Sequence, residues 1–239
     1  MRRRRPLRIL GTVLMAAGAL TLVWVVVVWQ WQDPFTALYT HWKQHQLAGQ
    51  YAKRVAGYQG DELSGASLAA ERRAIAAEAR RYRHASHRGQ AIGRIRIPRM
   101  GIDMILVNGT DHETLKKGPG RDLRSFMPGE NRLVYIAGHR TTYLAPFSHI
   151  DQLRKGDPVT VEVPYATFVY RVSGSRIVKA TDLSVLRSPR HERLELQACH
   201  PRFFATHRYI AYAQLARVEP RSGAPFDVSV EAAGQASRR

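Results

Sequence analysis

The first 32 residues divide into a basic cluster and a long uncharged stretch. Arginine occupies positions 2, 3, 4, 5 and 8, and residues 9–32 then carry no charged side chain. A hydrocarbon core of ~30 Å needs ~20 apolar residues in a helix, so residues 9–32 are long enough to cross a bilayer. A cleaved signal peptide has a shorter apolar core that ends in small residues, whereas bulky Trp29 and Trp31 stand here. We therefore predict a transmembrane helix over 9–32, with residues 1–8 in the cytoplasm and the remainder outside.

Residues 33–88 are polar with scattered aromatic side chains, and they predict an extracytoplasmic stalk. Within them, residues 67–84 are rich in Ala, Glu and Arg, which favours a helix with one weak apolar stripe. Two interpretations stay open for 33–88. The segment is either a spacer that lifts the next domain off the bilayer or a partly ordered linker without a specific partner.

From residue 89 the pattern changes to short apolar runs that are separated by Gly and Pro. Short strands with turn residues between them indicate a mainly β fold, either a sandwich or a barrel, over 89–220. One helical turn is predicted at 112–117, and residues 221–239 are small and polar enough to be disordered. The predicted strands are 92–97, 102–107, 133–137, 159–163, 167–172, 176–180, 193–199 and 209–218.

The charge balance restricts the possible partners. Lys and Arg number 37 and Asp and Glu number 19, which gives a net charge of +18. Such a charge favours anionic lipid, cell-wall polymer or nucleic acid. Nucleic acid is disfavoured, because the domain is predicted outside the cell and carries no recognised binding motif.

The single cysteine, Cys199, excludes an intramolecular disulfide and a Cys-rich zinc site. Alternation along strand 193–199 places Leu196 and Ala198 on the apolar face and Cys199 on the other face with Gln197. Cys199 also ends the strand, because Pro201 stops further pairing. This position favours an accessible nucleophile over a core side chain. No ligand set for zinc or calcium accompanies it, so we predict no metal and no cofactor.

A nucleophilic thiol needs a base or a cation nearby. His139 follows a predicted buried strand, and Gly138 before it gives the backbone room to turn the ring outward. His200 is disfavoured because neighbouring strand residues point to opposite faces. Arg208 opens the last strand, where an antiparallel return brings it beside Cys199 and lets its guanidinium hold an oxyanion.

Three motifs now resemble one family, the sortases. Residues Ala91-Ile-Gly-Arg-Ile-Arg-Ile-Pro98 resemble the opening sortase strand, and Ala137-Gly-His-Arg-Thr-Thr-Tyr143 is similar to the histidine motif of actinobacterial class E members. Leu196-Gln-Ala-Cys199-His-Pro201 resembles the Thr-Leu-x-Thr-Cys motif, and Arg208 falls where the family has its arginine. The resemblance covers about residues 89–220.

The resemblance implies an eight-stranded sortase barrel and a membrane-anchored transpeptidase. In it, Cys199 attacks the Thr–Gly bond of a C-terminal sorting signal, His139 transfers protons and Arg208 stabilises the oxyanion. The implied partners are secreted proteins with a sorting signal and an amine of a peptidoglycan precursor or of another protein. Tyr143 lies in the motif associated with Leu-Ala-x-Thr-Gly rather than Leu-Pro-x-Thr-Gly. Gln197 and Ala198 are expected to contact the substrate beside the nucleophile.

Two other functions are considered. The L,D-transpeptidases also use Cys, His and Arg, but their cysteine follows Ser-x-Gly, which differs from Gln197-Ala198-Cys199. The family's threonine before the cysteine is Ala198 here. This departure leaves a non-catalytic wall-binding relative of sortases as the alternative.

Overall fold

The computed structural model describes residues 4–31, 34–60 and 67–228. The helices are α1 (Arg4–Trp31), α2 (Pro34–Ala56), α3 (Leu68–Ala85) and the short α4 (His112–Leu115). The short helix lies within the helical turn that the sequence predicts at 112–117. Of the predicted disordered tail, residues 229–239 lie outside the described residues, as do the arginines at positions 2 and 3.

Helix α1 is the apolar N-terminal segment. Its window Leu7–Val26 has a mean hydropathy of 2.3, and none of that window is buried against the rest of the protein. Among the described residues it is the one helix that is long and apolar enough to cross a membrane. By length and composition, α1 is thus a candidate membrane anchor or signal segment.

The domain that follows is a closed β-barrel. The hydrogen-bonded order is β6-β5-β1-β2-β3-β4-β7-β8-β9, and pairing of β6 with β8 closes eight strands into the barrel. The prediction of a mainly β, eight-stranded barrel is therefore confirmed. The strands are β1 (Ala91–Ile97), β2 (Ile102–Asn108), β3 (Gly120–Arg121), β4 (Leu133–Ala137), β5 (Pro158–Val163), β6 (Ala166–Lys179), β7 (Arg193–His200), β8 (His207–Pro220) and β9 (Phe226–Asp227).

Two strands differ from the prediction. The runs 167–172 and 176–180 form one strand, β6, because β8 pairs with it on both sides of a bulge between Val172 and Gly174. A Ser-Gly pair is a turn signal in sequence, but here it marks the bulge. The eighth strand is instead β3, which has only two residues and pairs with β2 on one side and β4 on the other. So short a strand has no periodicity of its own to detect.

Helices α2 and α3 pack directly on the barrel. Ile75, Ala79 and Tyr82 of α3 belong to the main core, and Leu47 and Tyr51 of α2 pack in a second cluster with β1 and β2. Both helices are therefore part of the folded body, and the segment predicted as a stalk, 33–88, contributes two helices that contact the barrel. The buried face of α2 was hard to recognise because it also contains polar Thr40, which is fully buried.

Candidate active site

Cys199 and Arg208 lie opposite each other on two adjacent antiparallel strands, β7 and β8. Their Cα atoms are register partners one pair before the loop that joins β7 to β8, and both side chains are half-buried. The Arg208 guanidinium donates to the carbonyl oxygens of Ala205 (2.7 Å) and His207 (3.0 Å). These two bonds hold the cation at the start of β8, on the strand next to the thiol.

His139 reaches the same end of the barrel from the other side of β7. Strands β4 and β7 run parallel with Ala137 beside Gln197, and the amide of Gly138 donates to the Gln197 carbonyl (3.0 Å). Two residues further along each chain stand His139 and Cys199. The strand order β4-β7-β8 therefore brings the predicted His, Cys and Arg together at one end of three neighbouring strands.

Gly138 is required by the packing of the histidine loop. A Cβ atom at this position would lie 2.8 Å from Cδ2 of the Phe147 ring, which is fully buried. The ring is further fixed by its own backbone, whose amide donates to the His139 carbonyl (3.0 Å). The absence of a side chain at Gly138 thus lets the Phe147 ring pack against the backbone next to His139. The sequence predicted that glycine gives the backbone room to turn, whereas the structure shows that it makes room for this ring.

We expect Gly138→Ala to lower the free energy of unfolding by about 1–3 kcal/mol, because the methyl group overpacks against an immobile ring. Urea denaturation would measure the change. Gly174→Ala is the matched control, since a Cβ there meets no atom within 4 Å. Equal stabilities for the two variants would contradict the packing role of Gly138.

The His139 ring lies in a partly buried, positively charged environment. The Tyr143 ring is 5.1 Å from it and the His112 ring is 6.2 Å from it, centroid to centroid. Burial lowers the pKa of His139, and the nearby His112 and Lys116 lower it further. Its buried Nε2 has no hydrogen-bond partner among the described residues. The imidazole is thereby kept neutral and available to take up a proton.

Removing His112 should raise the pKa of His139, because less repulsion then opposes the protonated form of His139. We expect the His139 resonance of His112→Gln to titrate at a higher pH than that of the wild type. NMR titration of imidazole-labelled protein would measure both, with His139→Gln identifying the resonance. An unchanged or lower His139 pKa in His112→Gln would contradict the electrostatic role of His112.

Arg140 is a positioning residue that the sequence did not single out. It is only 3% exposed, and its guanidinium donates to the Cys199 carbonyl (3.2 Å) and contacts His200 Nδ1 (2.9 Å). It also forms an ion pair with Asp151 (2.8 Å). Arg140 therefore ties the histidine loop to the end of the cysteine strand. Its place directly after His139 in the motif was the one available signal.

The three predicted substrate-contacting residues have different surroundings. Tyr143 packs on His139, and its backbone amide donates to the Thr36 hydroxyl of α2 (3.1 Å). Gln197 accepts a hydrogen bond from the Tyr135 hydroxyl (2.6 Å). Ala198 is 0% exposed and belongs to the core. The expectation that Ala198 contacts substrate is thus corrected, because strand alternation turns its side chain into the barrel.

A cavity of about 230 Å³ lies beside the Arg208 side chain. It is lined by polar groups of the barrel and by apolar side chains from the segment between β6 and β7. Such a cavity can bind part of a ligand next to Arg208. Among the described residues, no group of three or more His, Cys, Asp and Glu is arranged to hold a metal ion. The residues that line the cavity include Tyr135, Gln197 and Arg208, together with Asp122, Asp182, Leu183 and Val185.

Fold and site together define a closed β-barrel that carries a cysteine, a histidine and an arginine at one end of three adjacent strands. A family model described as the Sortase domain matches residues 95–216, which is just over half of the chain. The chain therefore belongs to the sortase family.

The known proteins that it resembles agree with this assignment. Sortase D of Bacillus subtilis is 34% identical over 131 residues, which cover 53% of this chain and 64% of that protein. The matched part is thus slightly less than two thirds of the relative. A Clostridium perfringens sortase D5 transpeptidase matches the fold with a TM-score of 0.58 at 22% identity, over 72% of this chain and 98% of that structure. Sortase E1 from Streptomyces coelicolor, solved with a tripeptide in its active site, has a TM-score of 0.53 at 26% identity, over 58% and 95%.

Proposed function

We propose that this protein is a cysteine transpeptidase that cleaves the Thr–Gly bond of a C-terminal sorting signal. The observation that supports this most strongly is the cross-strand pairing of Cys199 with Arg208, with the His139 loop on the neighbouring strand. A thiol, a proton carrier and a fixed cation are the groups that covalent acyl transfer requires. Membership of the sortase family supports the same reaction.

The proposed reaction has two halves. His139 takes the proton of the Cys199 thiol, the resulting thiolate attacks the threonine carbonyl, and the tetrahedral oxyanion forms beside the Arg208 guanidinium. Collapse breaks the C–N bond, and the glycine amine leaves with a proton from His139, so a thioester remains on Cys199. An acceptor amine then gives a proton to His139 and attacks the thioester, which forms the new amide and releases the thiolate.

We propose a Leu-Ala-x-Thr-Gly or Leu-Pro-x-Thr-Gly signal as the substrate. Three features support this assignment: the cavity beside Arg208, the Gln197 side chain that lines it and the Tyr143 ring, which packs at a tilt against His139. The proposed acceptors are an amine of the peptidoglycan precursor and an amine of another protein. The proposed donors are secreted proteins that carry the sorting signal.

We also propose that residues 9–32 anchor the enzyme in the cell membrane by one pass. The apolar window in α1 and the arginines before it support this topology. The N-terminus would then lie in the cytoplasm and the barrel outside, where sorting signals and wall precursors meet.

Intact-mass spectrometry on the full chain in nanodiscs tests the reaction. We expect incubation with either peptide to add the mass of the Leu-to-Thr acyl fragment, and hydroxylamine to release it. Cys199→Ala is the matched variant and should gain no mass. Failure of the wild type to form an adduct with either peptide, while Cys199 reacts with iodoacetamide, would favour the non-catalytic wall-binding alternative.

A further inference from the structure

The active-site end of the barrel is the end that lies against the start of α2. Because β4 and β7 are parallel, the loops that follow them, residues 138–149 and 201–206, extend from the same end of the barrel. Tyr143 of the first loop donates its amide to Thr36 in the first turn of α2, and its ring lies 6.5 Å from that of Tyr39. The second loop connects Cys199 to Arg208.

Chain length limits the distance between this end and the exit of α1. Helix α1 ends at Trp31, and Thr36 comes only five residues later. Five residues span at most ~18 Å even when fully extended. If α1 is the membrane anchor, as proposed above, the histidine loop that Thr36 contacts is therefore held close to the bilayer surface.

The first turns of α2 carry large apolar side chains on the face that points away from the barrel. Leu38 is 72% exposed and Trp42 is 54% exposed, whereas Thr40 between them is fully buried. Residues two positions apart lie on nearly opposite sides of a helix, so Leu38 and Trp42 point outward together. The Lys43 ammonium lies 4.2 Å from the Trp42 ring, as in side chains at a lipid–water boundary.

The loop between Cys199 and Arg208 exposes a second apolar pair. Phe203 is 64% exposed and Phe204 is 75% exposed, and both follow the exposed Arg202. No Asp or Glu occurs between residues 34 and 60 or between residues 196 and 218. Exposed large apolar side chains whose charged neighbours along the chain are all basic match an anionic headgroup layer above an apolar membrane interior.

We propose that the active-site end of the barrel docks on the surface of the membrane that α1 crosses. Leu38 and Trp42 enter the lipid–water interface on one side of the site, and Phe203 and Phe204 enter it on the other. The occupant of this surface is a bilayer that contains anionic lipid. Docking brings the thiol to the level of the lipid headgroups on the side of the membrane where the barrel lies.

Depth-dependent quenching in nanodiscs tests the docking with the full chain. Phe204→Cys in a Cys199→Ser background gives one thiol for an environment-sensitive fluorophore, and doxyl lipids quench it only when it reaches the interface. Arg190→Cys in the same background is the matched control, because Arg190 is exposed and precedes β7 at the opposite end of the barrel. We expect several-fold stronger doxyl quenching at position 204 than at position 190, and stronger quenching with anionic than with zwitterionic lipid.

Equal quenching at both positions would overturn the proposal. A change in the emission of the fluorophore at position 204 that occurs only in nanodiscs with two copies would also overturn it, because the loop would then be a contact between copies. An emission change that occurs only after the sorting peptide is added would make the loop a substrate contact instead. Leu38→Gln with Trp42→Gln should weaken quenching at position 204, and an undiminished signal would remove α2 from the docking surface.

The proposed function is tested separately by the acyl adduct on Cys199. An adduct without interfacial quenching would leave the transpeptidase intact and overturn only the docking. Interfacial quenching without an adduct would support the docking and overturn the proposed transpeptidase. Loss of the chain from nanodiscs would reject the anchor itself, and with it the docking.

Discussion

Replacing Arg208 with glutamine is expected to lower the rate of acyl-enzyme formation by about 10²–10³-fold, as for loss of one oxyanion donor. The reason is geometric: Arg208 is the register partner of Cys199, and two carbonyl oxygens already fix its guanidinium. The charge therefore needs no reorganisation when the oxyanion forms. Rapid-quench mass spectrometry of the Cys199 adduct at saturating peptide would measure the rate.

Two further variants give this prediction its controls. Arg208→Lys keeps the charge but loses the planar fork of donors, so we expect a rate between those of the wild type and the glutamine variant. Arg171→Gln removes an exposed arginine from β6, where its register partner is Gln214, and should react like the wild type. Unchanged adduct formation in Arg208→Gln would show that the oxyanion is stabilised by other groups.

The second large effect is on stability and comes from a carboxyl group away from the site. Glu192 accepts hydrogen bonds from the backbone amides of Gly129 (2.9 Å) and Asn131 (3.1 Å) and from the Tyr170 hydroxyl (2.6 Å). Burial nevertheless raises its pKa from 4.5 to about 7, against the effect of these bonds. In the folded protein the carboxyl group thus holds its proton at pH values where the unfolded chain has lost it.

The sign of the pH dependence follows from this difference. Between pH 4.5 and about 7 the folded state binds more protons than the unfolded state at Glu192, so the free energy of unfolding falls as the pH rises. A shift of this size corresponds to a loss of ~3 kcal/mol across that interval. Urea denaturation at a series of pH values would measure it.

Glu192→Gln is the matched variant, because the amide oxygen keeps an acceptor in place but does not titrate. Its unfolding free energy should lose the decline that the wild type shows over the same interval. Parallel curves for the two proteins would mean that another group causes the dependence, or that Glu192 is ionised throughout. The difference between the curves isolates the contribution of Glu192 from those of the other ionisable groups.

Several features could be predicted from the order of residues because they depend on neighbours along the chain. Alternation in β7 correctly separated Ala198, which is in the core, from Cys199, which is half-buried. The apolar helix α1 could be recognised in the sequence from the length of its uncharged stretch. The sortase family assignment and the eight-stranded barrel are confirmed, whereas the roles of Cys199, His139 and Arg208 stay predictions for the experiments above.

Other features depend on contacts between distant segments. Strand β3 exists because β2 and β4 pair with its two residues, and β6 continues through its bulge because β8 pairs on both sides. Apart from its place directly after His139, Arg140 had no distinguishing local pattern, since its contact with the Cys199 carbonyl joins residues 59 positions apart. Ala198 was expected to contact substrate because it precedes the nucleophile in sequence. Its side chain is on the opposite face of the strand, in the core.

The amino-acid sequence by itself determined the strand alternation and the apolar helix and supplied the candidate site residues, because each follows from residue type and short-range spacing. Only the tertiary structure decided that α2 packs on the barrel and that its first turn holds Tyr143 of the histidine loop. Those contacts combine polar and apolar groups from segments that are distant in sequence, 107 residues apart for Thr36 and Tyr143, and no periodicity within either segment encodes them. The position of the active site relative to the start of α2 is thus a property of the folded chain.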